Sequence, residues 1–272
     1  MNPGKITKLT IPSFNEFDFQ IKYTETNQKI HVNEIDLHTH NEFEIYINLS
    51  GDVAFLVENN LYNLTRGDVI IARPGEHHHC IYRSDAPHKL YWILFDCHKN
   101  DGFFDFDFNG NYISPQGDFR EELLELCHTL HDCPITDEEK AYSFFRILAI
   151  LKKSRRPHSD SQSVLPLELS KIISYIDSHI HEEVTVTSLA KEFYISQSTL
   201  ERKFKEWLDI SPSEYVRRKK LVSAAEFLRD GKSVLDAGIS VGYNDTSYFI
   251  EIFKRYYGIT PRQFKKKISD NN

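Results

Sequence analysis

Between Val53 and Asp96 the apolar positions fall in short runs. VAFLV (53–57), LYNLT (61–65) and VIIA (69–72) are separated by Glu58-Asn59-Asn60, Arg66-Gly67-Asp68 and Arg73-Pro74-Gly75, and those separators carry turn chemistry. KLYWILFD (89–96) is a further run of strand length. Short strands at this spacing predict a β-sandwich or barrel. Beyond a stretch rich in Gly, Asn and Asp near Asp101–Asn111 the period changes. Leu123, Leu124, Cys127 and Leu130 recur at helical spacing. Thr136-Asp137-Glu138-Glu139 has the form of a capping box ahead of a helix bearing Tyr142, Phe145, Leu148 and Ala149. KKSRRPHSDSQS (152–163) is polar, charged and interrupted by proline, and reads as a linker.

From Leu167 onward the pattern is helical. Thr187 before SLAKEF, Ser211 before Pro212, Ser233 before VLDAGISV and Thr260 before Pro261 mark helix starts. The chain therefore divides into a front domain at 1–152, a linker at 153–166 and an all-α domain at 167–272.

The α domain contains a repeat. LERKFKEWLDISPSEY (200–215) aligns without gaps with FIEIFKRYYGITPRQF (249–264), and LAKEFYIS (189–196) lies over AGISVGYN (237–244). Each copy gives a short helix, a turn, a second helix and a Pro-started third, which is helix-turn-helix anatomy. The first helix needs a small residue to approach the second, and Ala190 and Gly238 stand there. Leu200, Phe204 and Trp207, then Phe249, Phe253 and Tyr256, supply the buried stripes. That leaves Gln197, Ser198, Glu201 and Arg202, and Thr246, Ser247, Ile250 and Glu251, to face the major groove of double-stranded DNA. The helix from Pro212 to about Arg229 spans roughly 27 Å, which suits two reading helices in successive grooves. Its basic run Arg217-Arg218-Lys219-Lys220 reads as a phosphate contact or, equally, as a solvated face.

Charge adds an asymmetry. Of 33 basic and 40 acidic residues, 17 and 15 lie from Leu167 on, which makes that part +2 and the front part −9. No apolar run reaches the length of a membrane helix, and the N-terminus has no signal-peptide core. The four cysteines lack metal-ligand spacing and read as reduced thiols of a cytoplasmic protein.

SVLDAGISVGYNDTSYFIEIFKRYYGITPRQFKK (233–266) resembles the signature of the AraC/XylS family of bacterial transcription regulators, and STLERKFKEWLDISPSEYVRRKKL resembles that family's first helix-turn-helix. The resemblance implies base contacts at Ser198, Glu201 and Arg202, then at Thr246, Ser247, Ile250 and Glu251. The sequence departs from the family pattern at Gly238, where glycine costs up to ~1 kcal/mol and loosens the short helix. It departs again at Glu251, which stands where arginine is usual and suits cytosine N4 rather than guanine.

The front domain carries HTHNEFE (38–44). His38-x-His40-x-x-x-Glu44-x6-Gly51 and Gly67-x6-Pro74-Gly75-x-x-His78 resemble the two motifs of the cupin barrel. In metal cupins the matching positions, His38, His40, Glu44 and His78, hold the ion. On a single strand over 37–49, His38, His40, Glu44 and Tyr46 share one face. That face suits a divalent metal, a metal-free ligand pocket with Tyr46 and Trp92 as stacking platforms, or solvent. The expected fold is α+β with two domains: a cupin-like barrel with following helices, then a double helix-turn-helix domain. Leu123, Leu124, Leu130, Phe145 and Leu148 then offer a dimer interface, or simply pack on the barrel. The expected function is a homodimeric, non-enzymatic regulator answering to a small molecule, a carbohydrate, and contacting RNA polymerase if it activates. No cofactor is required. The alternatives are a metal-dependent cupin enzyme fused to a DNA-binding module, and a regulator governed by a protein partner.

Overall fold

The structure, a computed structural model, describes residues 6–10, 17–26, 40, 42–84, 86–97, 110–154 and 164–269. They form two compact units that meet in sequence at Val164 and Leu165.

The front unit is built on two sheets. One orders its strands β1 (Ile6–Thr10), β2 (Phe17–Thr26), β8 (His88–Cys97), β3 (Phe43–Ser50), β6 (Val69–Ala72) and β9 (Tyr112–Ile113). The other orders β5 (Asn60–Leu64), β4 (Val53–Val57) and β7 (His78–Tyr82). Among the described residues no ladder joins the two sheets, so the expected barrel is not closed. Alternation along a strand says which residues share a face, but not which edges pair.

The larger sheet has two different faces. On one, Phe19, Ile21, Ile45, Ile47, Val69, Ile71, Ile93 and Phe95 pack against helices α1 (Asp118–Asp132) and α2 (Asp137–Ser154). Leu123, Leu124, Leu130 and Leu148 are buried in this core and Phe145 packs on its edge. Their apolar stripe is spent on the sheet and is not available to a second copy. The Thr136 hydroxyl accepts from Glu139 N–H while the Glu139 carboxylate accepts from Thr136 N–H, so the expected capping box forms. Helix α2 runs on to Ser154, two residues into the expected linker; Lys152 and Lys153 complement the helix C-terminus. Residues 155–163 of that linker lie outside the described residues.

The second unit is helical: α3 (Leu167–Ser178), α4 (Val186–Glu192), α5 (Gln197–Leu208), α6 (Pro212–Arg229), α7 (Val234–Ser240), α8 (Thr246–Tyr257) and α9 (Pro261–Ser269). Ser211 caps α6 with Pro212 in its first turn, and Ser233 caps α7. Helix α4 begins earlier than expected. Its cap is Thr185: the Thr185 hydroxyl accepts from Ser188 N–H and the Ser188 hydroxyl accepts from Thr185 N–H, which completes a box there. Leu200 and Phe204 are fully buried, and Leu208 takes the third place in that stripe while Trp207 is half-buried. In the second copy Phe249, Ile252 and Phe253 are buried and Tyr256 lies half-exposed.

Candidate functional site

Helices α4–α5 and α7–α8 each place a short helix against a longer one whose outer face is open. On α5, Gln197, Ser198 and Arg202 are exposed and Glu201 is half-buried. Gln197 Nε2 donates to Thr187 Oγ1 at 3.1 Å, and Arg202 reaches Glu206 at 3.3 Å. The Ser196 hydroxyl caps the helix by accepting from Thr199 N–H. On α8, Ser247 and Glu251 are exposed, with Thr246 and Ile250 half-buried beside them. Asp245 caps this helix, accepting from Ser247 and Tyr248 N–H at 2.8 and 3.1 Å. All eight expected groove-facing residues thus lie on the two outer faces, with exposure ranging from partial to full.

Gly238 has a steric reason. A Cβ there would lie 2.9 Å from Phe249 Cδ1 and 3.2 Å from Cγ. The missing methyl lets α7 close on the Phe249 ring, so glycine marks a tight contact here and not a loose helix.

Half of the basic run on α6 is turned inward. Lys219 is 3% and Lys220 7% exposed. Lys219 pairs with Asp177 of α3 at 2.9 Å, and Lys220 Nζ donates to the Glu182 carbonyl at 2.7 Å. Burial holds the Lys220 pKa below the usual lysine value. Arg217 and Arg218 both engage Glu214. A helix packed between two motifs buries most of its surface, and its long cationic side chains find partners inside the unit.

In the front unit, Glu44, Tyr46 and Asn48 point away from the helical core. Tyr46 stands opposite Trp92 on the neighbouring strand. The Tyr46 ring is 4% exposed, lies 4.7 Å from the Phe55 ring of the smaller sheet, and its hydroxyl is 3.6 Å from Cys80 Sγ. A ligand could stack on it only if Phe55 moved. Trp92 is half-buried, with Lys22 Nζ 5.5 Å from the ring centroid. Burial pushes the Cys80 thiol up to about 12, which keeps it protonated and a poor nucleophile.

His40, Glu44 and His78 come together at one end of this inter-sheet face. His40 is not in the expected long strand, since β3 begins at Phe43. It is positioned by a turn instead: Gly75, at φ 81°, donates its N–H to the His40 carbonyl at 2.9 Å. His40 Nε2 lies 3.1 Å and His78 Nε2 3.5 Å from Glu44 Oε2. His78 has no exposed surface. Burial lowers its pKa, but Glu44 more than offsets this, and the net shift is upward. His38 lies outside the described residues.

Residues 28–158 match the family described as the AraC-like ligand binding domain, and residues 189–267 match a helix-turn-helix domain family. The chain belongs to the AraC family of transcription regulators. Among its AraC-family relatives, the HTH-type transcriptional activator RhaS of Escherichia coli O6:H1 is 25% identical over 84% of this chain and 87% of its own length. The regulatory protein PocR of Salmonella typhimurium is 28% identical over 39% of this chain, a match that spans about a third (35%) of PocR. A DNA-binding transcriptional dual regulator from Escherichia coli K-12, solved as a crystal structure, is 28% identical over 40% of this chain and 99% of that one, with a TM-score of 0.37.

Two features of the open face of α8 lie outside the residues expected from the sequence. Arg255 sits one turn beyond Glu251 and binds its carboxylate at 2.6 Å. Tyr248, 48% exposed, stands on α8 beside the expected contacts. The i, i+4 spacing of Glu251 and Arg255 was the available signal for the first. Nothing in the pattern separates Tyr248 from the core aromatics around it.

Proposed function

We propose that this AraC-family regulator controls transcription in response to a carbohydrate bound on the inter-sheet face of its front unit, acts as a homodimer, and has no enzymatic activity. The paired reading helices α5 and α8, each capped, with its apolar stripe buried and polar face outward, carry the DNA half of this reading. Partly exposed His40 and Glu44 offer hydrogen bonds to sugar hydroxyls, and the Trp92 indole offers a stacking face on the same side of the sheet. The description of RhaS as an activator supports a contact with RNA polymerase. Among the described residues no helix is long and apolar enough to cross a membrane.

The test has two parts. Selection from random duplexes with the full chain should return one preferred sequence. A thermal-shift series with monosaccharides should find one that raises the Tm, with a stabilisation of about 2.7 kcal/mol at one hundred times its Kd, and that changes DNA affinity. Recovery of unselected DNA would overturn the regulator reading. A sugar that is consumed would favour the enzyme reading instead.

A further inference from the structure

The two motifs repeat in frame yet offer the groove different chemistry. Helices α4 and α7 both begin one residue after a capping hydroxyl, Thr185 and Ser233, while α5 and α8 begin at Gln197 and Thr246. Thr187 therefore corresponds to Leu235, and Gln197 to Thr246. In the first copy Gln197 Nε2 donates to Thr187 Oγ1 at 3.1 Å, so the start of α4 lies against the start of the reading helix. The second copy sets Leu235 in that place, 51% exposed. The open face of α5 holds a carboxamide and a guanidinium, Gln197 and Arg202, the groups that pair bidentately with adenine and guanine. On α8, Thr246, Ser247, Ile250 and Glu251 hold neither. Arg255, one turn further on, is engaged by Glu251 at 2.6 Å. In place of those groups the second copy offers alkyl surface: the Thr246 methyl, Ile250 and Leu235. Among the groups that bases present in the major groove, the C5-methyl of thymine is the apolar one.

Resting on the DNA-reading role of α5 and α8, we propose that the second motif recognises thymine, with Ile250 and Leu235 closing on C5-methyl groups in its half of the operator. Ile250 follows Thr246 by four residues and so shares its face of the helix. It is half-buried, with its inner side on the core around Phe249 and Phe253. A side chain held in this way presents its remaining surface with little rotamer freedom left to lose. Leu235 is the complement: its alkyl surface faces water in the free protein, and contact with a thymine methyl takes both out of water. The sub-site read by α5 makes no such demand, because no aliphatic side chain stands among Gln197, Ser198, Glu201 and Arg202.

The full chain first selects a duplex from random sequence. Each thymine of that duplex is then replaced in turn by deoxyuridine, which keeps every hydrogen-bonding group and lacks only the methyl, and affinity is read by fluorescence anisotropy. The wild type should lose roughly 4-fold at one or two thymines within one sub-site, the factor that burial of a single CH2 group is worth. At those positions I250A or L235A should bind thymine and deoxyuridine alike. R202A, on α5, should weaken binding yet keep the full discrimination. A merely structural role for Ile250 or Leu235 would lower affinity for both bases equally and leave their ratio untouched. Thermal melts monitor folding, and L235A, at an exposed position, carries the test should I250A unfold. A duplex indifferent to every deoxyuridine, or a discrimination that survives both I250A and L235A, overturns the proposal while the regulator reading stands. Selection that returns no preferred duplex overturns both.

Discussion

Glu251 and Arg255 are bound to one another while both keep more than half of their side-chain surface in solvent. An exposed pair of this kind is worth at most about 1 kcal/mol, so DNA can exchange it for its own contacts. E251A removes a negative charge from the reading face and releases Arg255. Affinity for all duplexes should rise, with a steeper salt dependence, while preference at one base pair should weaken. Fluorescence anisotropy on a panel of point-substituted sites reads both, and an unchanged preference would show that Glu251 reads no base. Asp132 gives a second residue-level expectation. It accepts from His131 and His128 at 2.8 and 2.7 Å. Burial raises its carboxyl pKa, but the two hydrogen bonds outweigh burial and the net pKa is lowered. A lowered carboxylate pKa contributes stability that is present above the unfolded value of about 3.9 and is lost as pH falls through the folded one. D132N should therefore be less stable at pH 5–7 and lose less between pH 4 and 3, as measured by urea denaturation. Parallel pH profiles would discard the assignment.

Helices and strands behave as packed elements, and two substitutions measure how tightly. Leu123 is fully buried between α1 and the larger sheet; L123A should cost about 2–5 kcal/mol in chemical denaturation. G238A adds a good helix former, worth up to ~1 kcal/mol, but drives a methyl into Phe249, and overpacking costs about 1–3 kcal/mol. A net loss of stability is expected, and a net gain would mean that the ring yields. At this scale much was legible in the sequence. The strands around Phe55, Ile70 and Ile93, the Ser211-Pro212 and Ser233 caps and the repeat itself follow from period and turn chemistry. The start of α4 was displaced because Ser188, not a glutamate, closes the box at Thr185. The strand expected over 37–49 shortened because His40 answers to the Gly75 turn, a long-range hydrogen bond that no local pattern announces. The same holds for Lys219 and Lys220: four consecutive cations look solvated until Asp177 and the Glu182 carbonyl are found beside them.

At the scale of the whole molecule, the chain joins a sheet-rich sensing unit to a double DNA-reading unit, and the meeting of His40, Glu44 and His78 depends on segments 34 residues apart. Helix α6 has a consequence for the DNA partner. Its 18 residues give a length of roughly 27 Å, and Lys219 and Lys220 lock it to α3 and to the chain that follows it. A beam so fastened cannot turn or stretch to follow a changed operator. Two base pairs inserted between the sub-sites read by α5 and α8 would swing one of them by about 70° around the duplex axis, taking a turn as about 10.5 base pairs. Ten inserted pairs restore the angle but put the second groove out of reach. Both duplexes should bind no better than one carrying a single sub-site, so the protein tolerates substitutions within its operator far better than insertions.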